Sequence, residues 1–386
     1  MSELCYDVAV VGDGIAGSAA VIALAQAGIS VVWMCPDANK NGSSSKGNSS
    51  SRHKVGESLA PAANTILHSL GLSYLLDYDC HRSANATFSS WGQDALVERN
   101  AAVHLEGAGH IIDRVKFEGD LHDMAKQASD FFLIDSLSSM QEEEAIWILT
   151  TQGGCKVNAR FIIDATGRSQ AVGKMLARSN KTHNHTDDHL VAAYSFLQQK
   201  NNNDVDPTPA TLIESVENGW WYASLLSSGL LSLNFYSDPD LLPRGLTANL
   251  DLWLALISQT KHVSYWIEDA GFDVVKPPEI TSAATRWLTP VAGINHLAGW
   301  AAIGDAAVAF DPLSAHGMTT ALWSAVQMPD VVTEYFAEPV MKGAERLNQY
   351  SNAVEEGRTQ YLNQRRVIYG QEKRFQAGDF WIRRNI

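Results

Sequence analysis

Two titratable side chains stand where this chain could use them for chemistry. His316 falls in the stretch GDAAVAFDPLSAHGM (304–318), beside Gly317. An imidazole titrates near neutrality and can give or take a proton, although a packing role at a helix start is equally open. Glu57 lies in VGESLAP (55–61). Its carboxyl can act as an acid or base or bind structural backbone N–H groups. Around His316 the pattern suits binding. Pro312 fits a helix entry because it has no N–H to leave unpaired. The sequence therefore predicts a helix entered through Asp-Pro-Leu-Ser and continuing into TTALWSAVQM. Its free N–H groups, at Gly317 and Met318, would face an anion.

Positioning such a site needs strands that end beside it. YDVAVV (6–11) reads as a short buried strand, SAAVIALAQAG as a helix ending at Gly28, and ISVVWM (29–34) as a second strand. GDGIAG (12–17) fills the first turn. In such a β–α–β unit Gly12 makes the tight turn, Gly14 admits a pyrophosphate and Gly17 lets helix and strand pack. The unit predicts dinucleotide binding. One feature departs from the pattern. The acidic residue that usually ends the second strand and holds a ribose is replaced by Cys35, and Asp37 comes two residues late. Weak ribose anchoring and weak cofactor retention are expected.

The rest of the chain alternates in character. KNGSSSKGNSSSRHK (40–54) is a basic, Ser/Gly-rich loop, either flexible and exposed or a lid over phosphates. A strand-rich stretch runs from about 84 to 112 and includes FSSWG (88–92). An amphipathic helix follows within HIIDRVKFEGDLHDMAKQA (110–128), where Arg114 could pair with Asp113 or Asp120. Strands continue through CKVNARFIIDATGRSQ (155–170). Residues 171–285 hold polar loops and aromatic strands such as VENGWWYASLL (216–226), with helices at 247–270. Trp220, Trp221 and Tyr222 are candidate substrate-lining residues or core. The expected fold is α/β: a Rossmann-like domain (1–83, 105–170 and 286–345), an inserted β-sheet-rich substrate domain (84–104 and 171–285) and a C-terminal helical tail (346–386).

Composition narrows the function classes. The 386 residues are 45% hydrophobic and 19% charged, as in a globular protein. The net charge of −14 argues against nucleic acid as a partner. No apolar run reaches the length of a membrane span, and the N-terminus runs into a strand rather than a signal peptide, so a cytoplasmic location is expected. The four cysteines are scattered, which favours reduced thiols. His183, His185 and His189 with Asp187 and Asp188 match no standard metal spacing, and no metal is expected.

Three motifs now stand in order: GDGIAG (12–17), DATGRS (164–169) and GDAAVAFDP (304–312), each after an apolar strand. Together they resemble the FAD-dependent monooxygenases of the p-hydroxybenzoate hydroxylase class. The resemblance implies FAD held by Gly12, Gly14 and Gly17, by Asp164 and Gly167, and by Asp305 on the ribitol. Ser58, Arg114 and Pro312 would lie nearby. Gly317 and Met318 would face the reduced isoalloxazine, the anion that their N–H groups await. VGESLAP, DRVKFEGDL, GWWY, DPLSAHG and FWIRR further resemble the flavin-dependent halogenase branch. They resemble still more the LodB/GoxB-type flavoproteins associated with maturation of tryptophylquinone cofactors.

Halogenation itself is not expected. The halogenase Lys has no counterpart, since no Lys occurs from Val55 to Val115, and the aligned place is about Ser83. The halogenase WxWxIP pattern appears as Trp220-Trp221-Tyr222-Ala223-Ser224-Leu225, and its Glu corresponds to Ser314. A hydroxylase needs less from the chain, because the flavin supplies the hard chemistry. Three functions are therefore open: a monooxygenase acting with molecular oxygen on a tryptophan side chain of a precursor quinoprotein oxidase, as a step in cysteine tryptophylquinone formation; a small-molecule aromatic hydroxylase of secondary metabolism; and a flavoprotein chaperone without turnover. The reductant is either NAD(P)H or reduced flavin.

Overall fold

A computed structural model of the chain describes residues 5–36, 53–100, 107–200 and 205–385. Asp37, the run 40–52 and the expected boundary at 104/105 lie outside these residues. The first sheet runs Ala292–Asn295, Ala298–Ala302, Lys156–Asp164, Cys5–Val11, Val31–Cys35 and Phe131–Ile134. Along this path every pairing but the first is parallel, and the antiparallel strands Ile146–Thr151 and Leu137–Glu143 branch from Lys156–Asp164. These strands read as continuous apolar runs because helices cover both faces. Ala298–Ala302, Lys156–Asp164 and Cys5–Val11 are neighbours. Their parallel register brings the three glycine-bearing turns out side by side at one edge of the sheet, where ligands of open α/β sheets bind.

The helix Ile15–Gln26 is buried from Ile15 to Leu24. Its alanines and glycine allow close packing against the helices Gly317–Val326 and Arg114–Ala128. Trp33 Nε1 donates to the Gly12 carbonyl at 2.9 Å, and Gly12 N–H donates to Met34 O at 2.9 Å. The second strand thereby fixes the first turn.

A second, mostly antiparallel sheet has at its centre Val191–Gln199, Leu231–Ser237, Gly219–Leu225 and Thr211–Val216. Strand alternation sorts its aromatic residues. Trp221, Leu233 and Phe235 face the helices Leu250–Ser258 and His262–Asp269, in a core with Trp253 and Val263. Trp220 and Tyr236 face the other way, stacked with centroids 4.0 Å apart.

The C-terminal residues fasten this sheet to the first. The helix Ala344–Gly370 brings Tyr369 beneath Trp220, whose Nε1 donates to the Tyr369 hydroxyl at 3.1 Å. Tyr369 donates to Asp311 at 2.7 Å. Beyond it, buried Trp381 donates to Val216 O at 2.9 Å, and buried Arg384 holds Asp238 at 2.6 Å. FWIRR is thus a staple on the second sheet.

The structure corrects two local expectations. Pro312–Ser314 is a separate 3-10 turn. Ala315 then adopts a left-handed conformation (φ 54°), and the helix begins only at Gly317. Asp311 caps the start of this turn, its side chain accepting from Leu313 N at 2.9 Å, and the left-handed Ala315 ends it. Arg114 pairs with neither Asp113 nor Asp120. It bonds Glu118 at 2.8 Å and Val55 O at 2.6 Å, because Asp113 caps the helix and Asp120 is taken by Lys116. The acids of the histidine-rich loop are likewise occupied: Arg365 binds both Asp187 and Asp188.

Candidate functional site

A cleft of about 1470 Å³ lies between the three turns and the second sheet. Gly14, Ser58, Arg114, Gly167, Asp305, Pro312, Gly317 and Met318 all border it, as do Trp220, Tyr222 and His316. The three glycines of the first turn have different jobs. A Cβ on Gly12, whose φ is 117°, would lie 2.3 Å from Ala165 O. One on Gly17 would lie 2.1 Å from Gly12 O, so both positions are demanded by packing. A Cβ on Gly14 would meet nothing within 4 Å, because that position opens on the cleft. Behind it, the helix Ile15–Gln26 starts without a side-chain cap, leaving its first N–H groups for a ligand. This is the seat that a pyrophosphate fits.

Asp305 and Arg168 form the middle of the floor. Arg168 Nε lies 3.3 Å from Asp305 Oδ2. Its terminal nitrogens donate to Ala284 O and, at 3.1 Å, to Phe310 O. Enclosure raises the Asp305 pKa, against the pull of the Arg168 and Arg114 charges. Arg168 was missed as a site residue, although the signal lay inside DATGRS. Asp164, expected at the cofactor, points inward instead. Fully buried, it accepts from Thr166 N at 3.0 Å and Gly173 N at 2.9 Å, and it shapes the second turn from behind. Cys35 is buried at the end of its strand, and desolvation pushes its thiol far up, so it is neutral.

At the far end the helix Gly317–Val326 also starts without a side-chain cap, and a Cβ on Gly317 would meet nothing within 4 Å. On the other side of this segment lies a second cavity of about 890 Å³. Phe310, Trp323, Tyr361 and Gln364 line it. His316 borders both spaces. Its ring is open to solvent on one side, yet the surrounding protein lowers its pKa, so it is neutral near pH 7.

Two more expected residues are, like Asp164, not brought to the cleft. Trp221 is turned into the opposite core, because in a strand it must point away from Trp220 and Tyr222. Glu57 faces away between Gly56 and Ser58, and its oxygens make no well-formed hydrogen bond.

The fold is that of flavin-dependent halogenases and hydroxylases. The solved structure of the peptidyl tryptophan dihydroxylase QhpG, essential for tryptophylquinone cofactor biogenesis, superposes with a TM-score of 0.74 at 20% identity, covering 99% of this chain and 79% of that one. The myxobacterial chondrochloren halogenase CndH gives 0.82 at 18%, covering 99% and 86%. The flavin-dependent halogenase CmlS gives 0.80 at 22%, covering 99% and 68%. In sequence, the chain is similar to LodB of Marinomonas mediterranea, named as an FAD-dependent oxidoreductase. The two are 24% identical over 388 residues, 98% of this chain and 97% of the relative. No family model matches the chain. Among the described residues no helix is long and apolar enough to cross a membrane.

Proposed function

We propose that this chain is an FAD-dependent monooxygenase that hydroxylates a tryptophan side chain of a precursor protein during tryptophylquinone formation. The observation that carries this reading is the pair of cavities sharing His316: an elongated cleft with a pyrophosphate seat at one end, and a separate aromatic-lined cavity across the segment 310–317. Whole-length similarity to LodB and the shared fold with QhpG support the choice of a protein-borne tryptophan.

In this reading Gly14 and the N–H groups of the helix Ile15–Gln26 hold the pyrophosphate, and Asp305 accepts from the ribitol. Gly167, Ser58, Arg114 and Pro312 border the rest of the cofactor. Gly12, Gly17 and Asp164 keep its turns in shape. The N–H groups of Gly317 and Met318 stabilise negative charge on the ring system. When held there, FAD would supply the oxygen-activating chemistry, with NAD(P)H or reduced flavin as the source of electrons. Neutral His316 can then accept a proton at a ring nitrogen from a substrate in the second cavity. Phe310, Trp323 and Tyr361 stack against an indole there and exclude water. Trp220 and Tyr222 close the opposite side of the cleft. A free phenol or indole would also fit a cavity of about 890 Å³, which keeps a small-molecule hydroxylase as the second reading.

The reading is tested by producing a candidate precursor oxidase with and without this chain. Maturation that needs the chain and fails with Gly14→Asp supports it. Equal maturation in both cases contradicts it. Maturation that survives Gly14→Asp replaces catalysis by a chaperone role. Halogenation is tested with reduced FAD, oxygen, halide and free tryptophan. No halotryptophan is expected, because no lysine lies between Val55 and Val115 and Ser314 stands in place of the halogenase Glu.

A further inference from the structure

The segment Val55–Ser58 separates two spaces. Val55, Gly56 and Ser58 border the cleft. Glu57 points the other way, into a narrow void with about 20 Å³ open to water, whose mouth is formed by His53, Lys54, Ser227 and Ser228. Those four residues are exposed, whereas Glu57 is 1% exposed. Neither of its carboxyl oxygens makes a well-formed hydrogen bond, although the Ser232 hydroxyl and the Gly56 and Glu57 backbone N–H groups lie nearby.

The second sheet presents a polar strip toward Glu57. Ser232, Asn234 and Tyr236 alternate along one face of Leu231–Ser237, and Tyr222 pairs with Asn234 on the neighbouring strand. Asn234 donates to Ser232 Oγ at 3.1 Å. The Asn234 carbonyl oxygen and the Tyr222 hydroxyl are buried and unpartnered. Tyr222 also borders the cleft. Buried polar atoms left in this state are rare and costly. Groups so arranged are bridged by small hydrogen-bonding molecules, of which water is the commonest.

The nearby charges are committed elsewhere. Arg114 is committed to Glu118 and Val55 O, and Lys54 also pairs with Glu118. Arg82 donates to Leu225 O, Asp113 caps its helix, and His53 stacks on Phe196. Burial raises the pKa of Glu57, offset only in part by nearby backbone groups, Ser232 and Arg114. The Cys80 thiol and the Tyr222 and Tyr236 phenols are also raised by burial and are neutral.

From this arrangement we infer that Glu57 is a protonated acid that passes protons from solvent, through the smaller void, to Tyr222 and the cleft. The inference rests on the proposed monooxygenase function. There RH, O2, NAD(P)H and one proton give ROH, NAD(P)+ and water, so each turnover takes up a proton. Glu57 gives its proton toward the Tyr222 hydroxyl and regains one from solvent, and is unchanged over the cycle.

Infrared spectra of the FAD-free protein at neutral pH test the first half. A protonated-carboxyl band should be present, shift in heavy water and be missing from Glu57→Gln; subtraction separates it from the other buried acids. Identical carboxyl bands in both proteins would overturn the inference. The second half is read with a pH-indicator dye during photoreduction of the FAD-loaded protein. Proton uptake should slow about tenfold or more in Glu57→Gln, and also in Tyr222→Phe, which keeps the ring and so separates relay from folding. Unchanged uptake in both variants would overturn the relay. A protein that takes up no FAD would contradict the proposed function while leaving the infrared result on Glu57 standing.

Discussion

Arg168 Nε stands 3.3 Å from Asp305 Oδ2 and ties the second glycine-bearing turn to the third. Two further donations, to Ala284 O and Phe310 O, fix the guanidinium plane, so Asp305 is held at the cleft rather than free to turn away. Asp305→Ala should therefore weaken FAD binding about tenfold, roughly 1.4 kcal/mol. Arg168→Lys should weaken it less, because it keeps the charge and loses the fork. A flavin absorbance titration measures both. Unaltered affinity in Asp305→Ala would remove Asp305 from the cofactor site.

The three glycines of the first turn should separate by assay. Gly12→Ala forces a Cβ against Ala165 O at a φ of 117° and should cost about 3 kcal/mol or more of stability. Gly17→Ala should behave alike. Gly14→Asp should fold with near-normal stability and lose FAD binding, because its side chain enters open space and carries a negative charge to the anion seat. Urea denaturation together with flavin titration distinguishes the two patterns.

Much of this was legible in the sequence, for identifiable reasons. The strands before GDGIAG, DATGRS and GDAAVAFDP are short apolar runs ended by glycine, and such punctuation survives in one dimension. What placed the motifs side by side was the parallel pairing of Ala298–Ala302, Lys156–Asp164 and Cys5–Val11, a long-range fact. The inward turn of Asp164 was hidden because, besides Thr166, it is held by the backbone N–H of Gly173, nine residues on, which no side chain announces. The helix start at Gly317 was misread because Pro312 opens a 3-10 turn as readily as an α-helix. Trp221 was left open between cleft and core together with its neighbours, although a strand cannot point adjacent residues the same way.

That alternation gives a direct contrast. Trp221→Ala should destabilise the fold by about 3–5 kcal/mol, as deletion of a buried core aromatic does. Tyr222→Phe should leave stability within about 1 kcal/mol, since it removes only an unpartnered hydroxyl. Thermal and urea unfolding of the two variants check this. A mild Trp221→Ala would contradict its place in the core.

Acid should loosen the C-terminal staple. Burial alone would raise the pKa of Glu372. Arg374, Ser215 and the N–H groups of Gly92 and Arg374 instead lower it from 4.5 to about 2. A carboxylate with a depressed folded pKa gives stability that is present above the unfolded value and lost as pH falls through the folded one. Glu372→Gln should thus cost about 3 kcal/mol at pH 7 by linkage. The difference from the unsubstituted protein should shrink between pH 4.5 and 2. Urea midpoints across that range measure it.

The central claim is oxygen transfer to a tryptophan side chain of a precursor protein, and the oxygen itself is the most direct reporter. The precursor, the FAD-loaded protein and a reductant are incubated under oxygen-18 gas, and the tryptophan-bearing peptide is read by mass spectrometry. The account predicts heavy oxygen on that indole, absent when Gly14→Asp replaces the unsubstituted chain. A precursor that matures in the presence of this chain with no heavy oxygen on the peptide would contradict it.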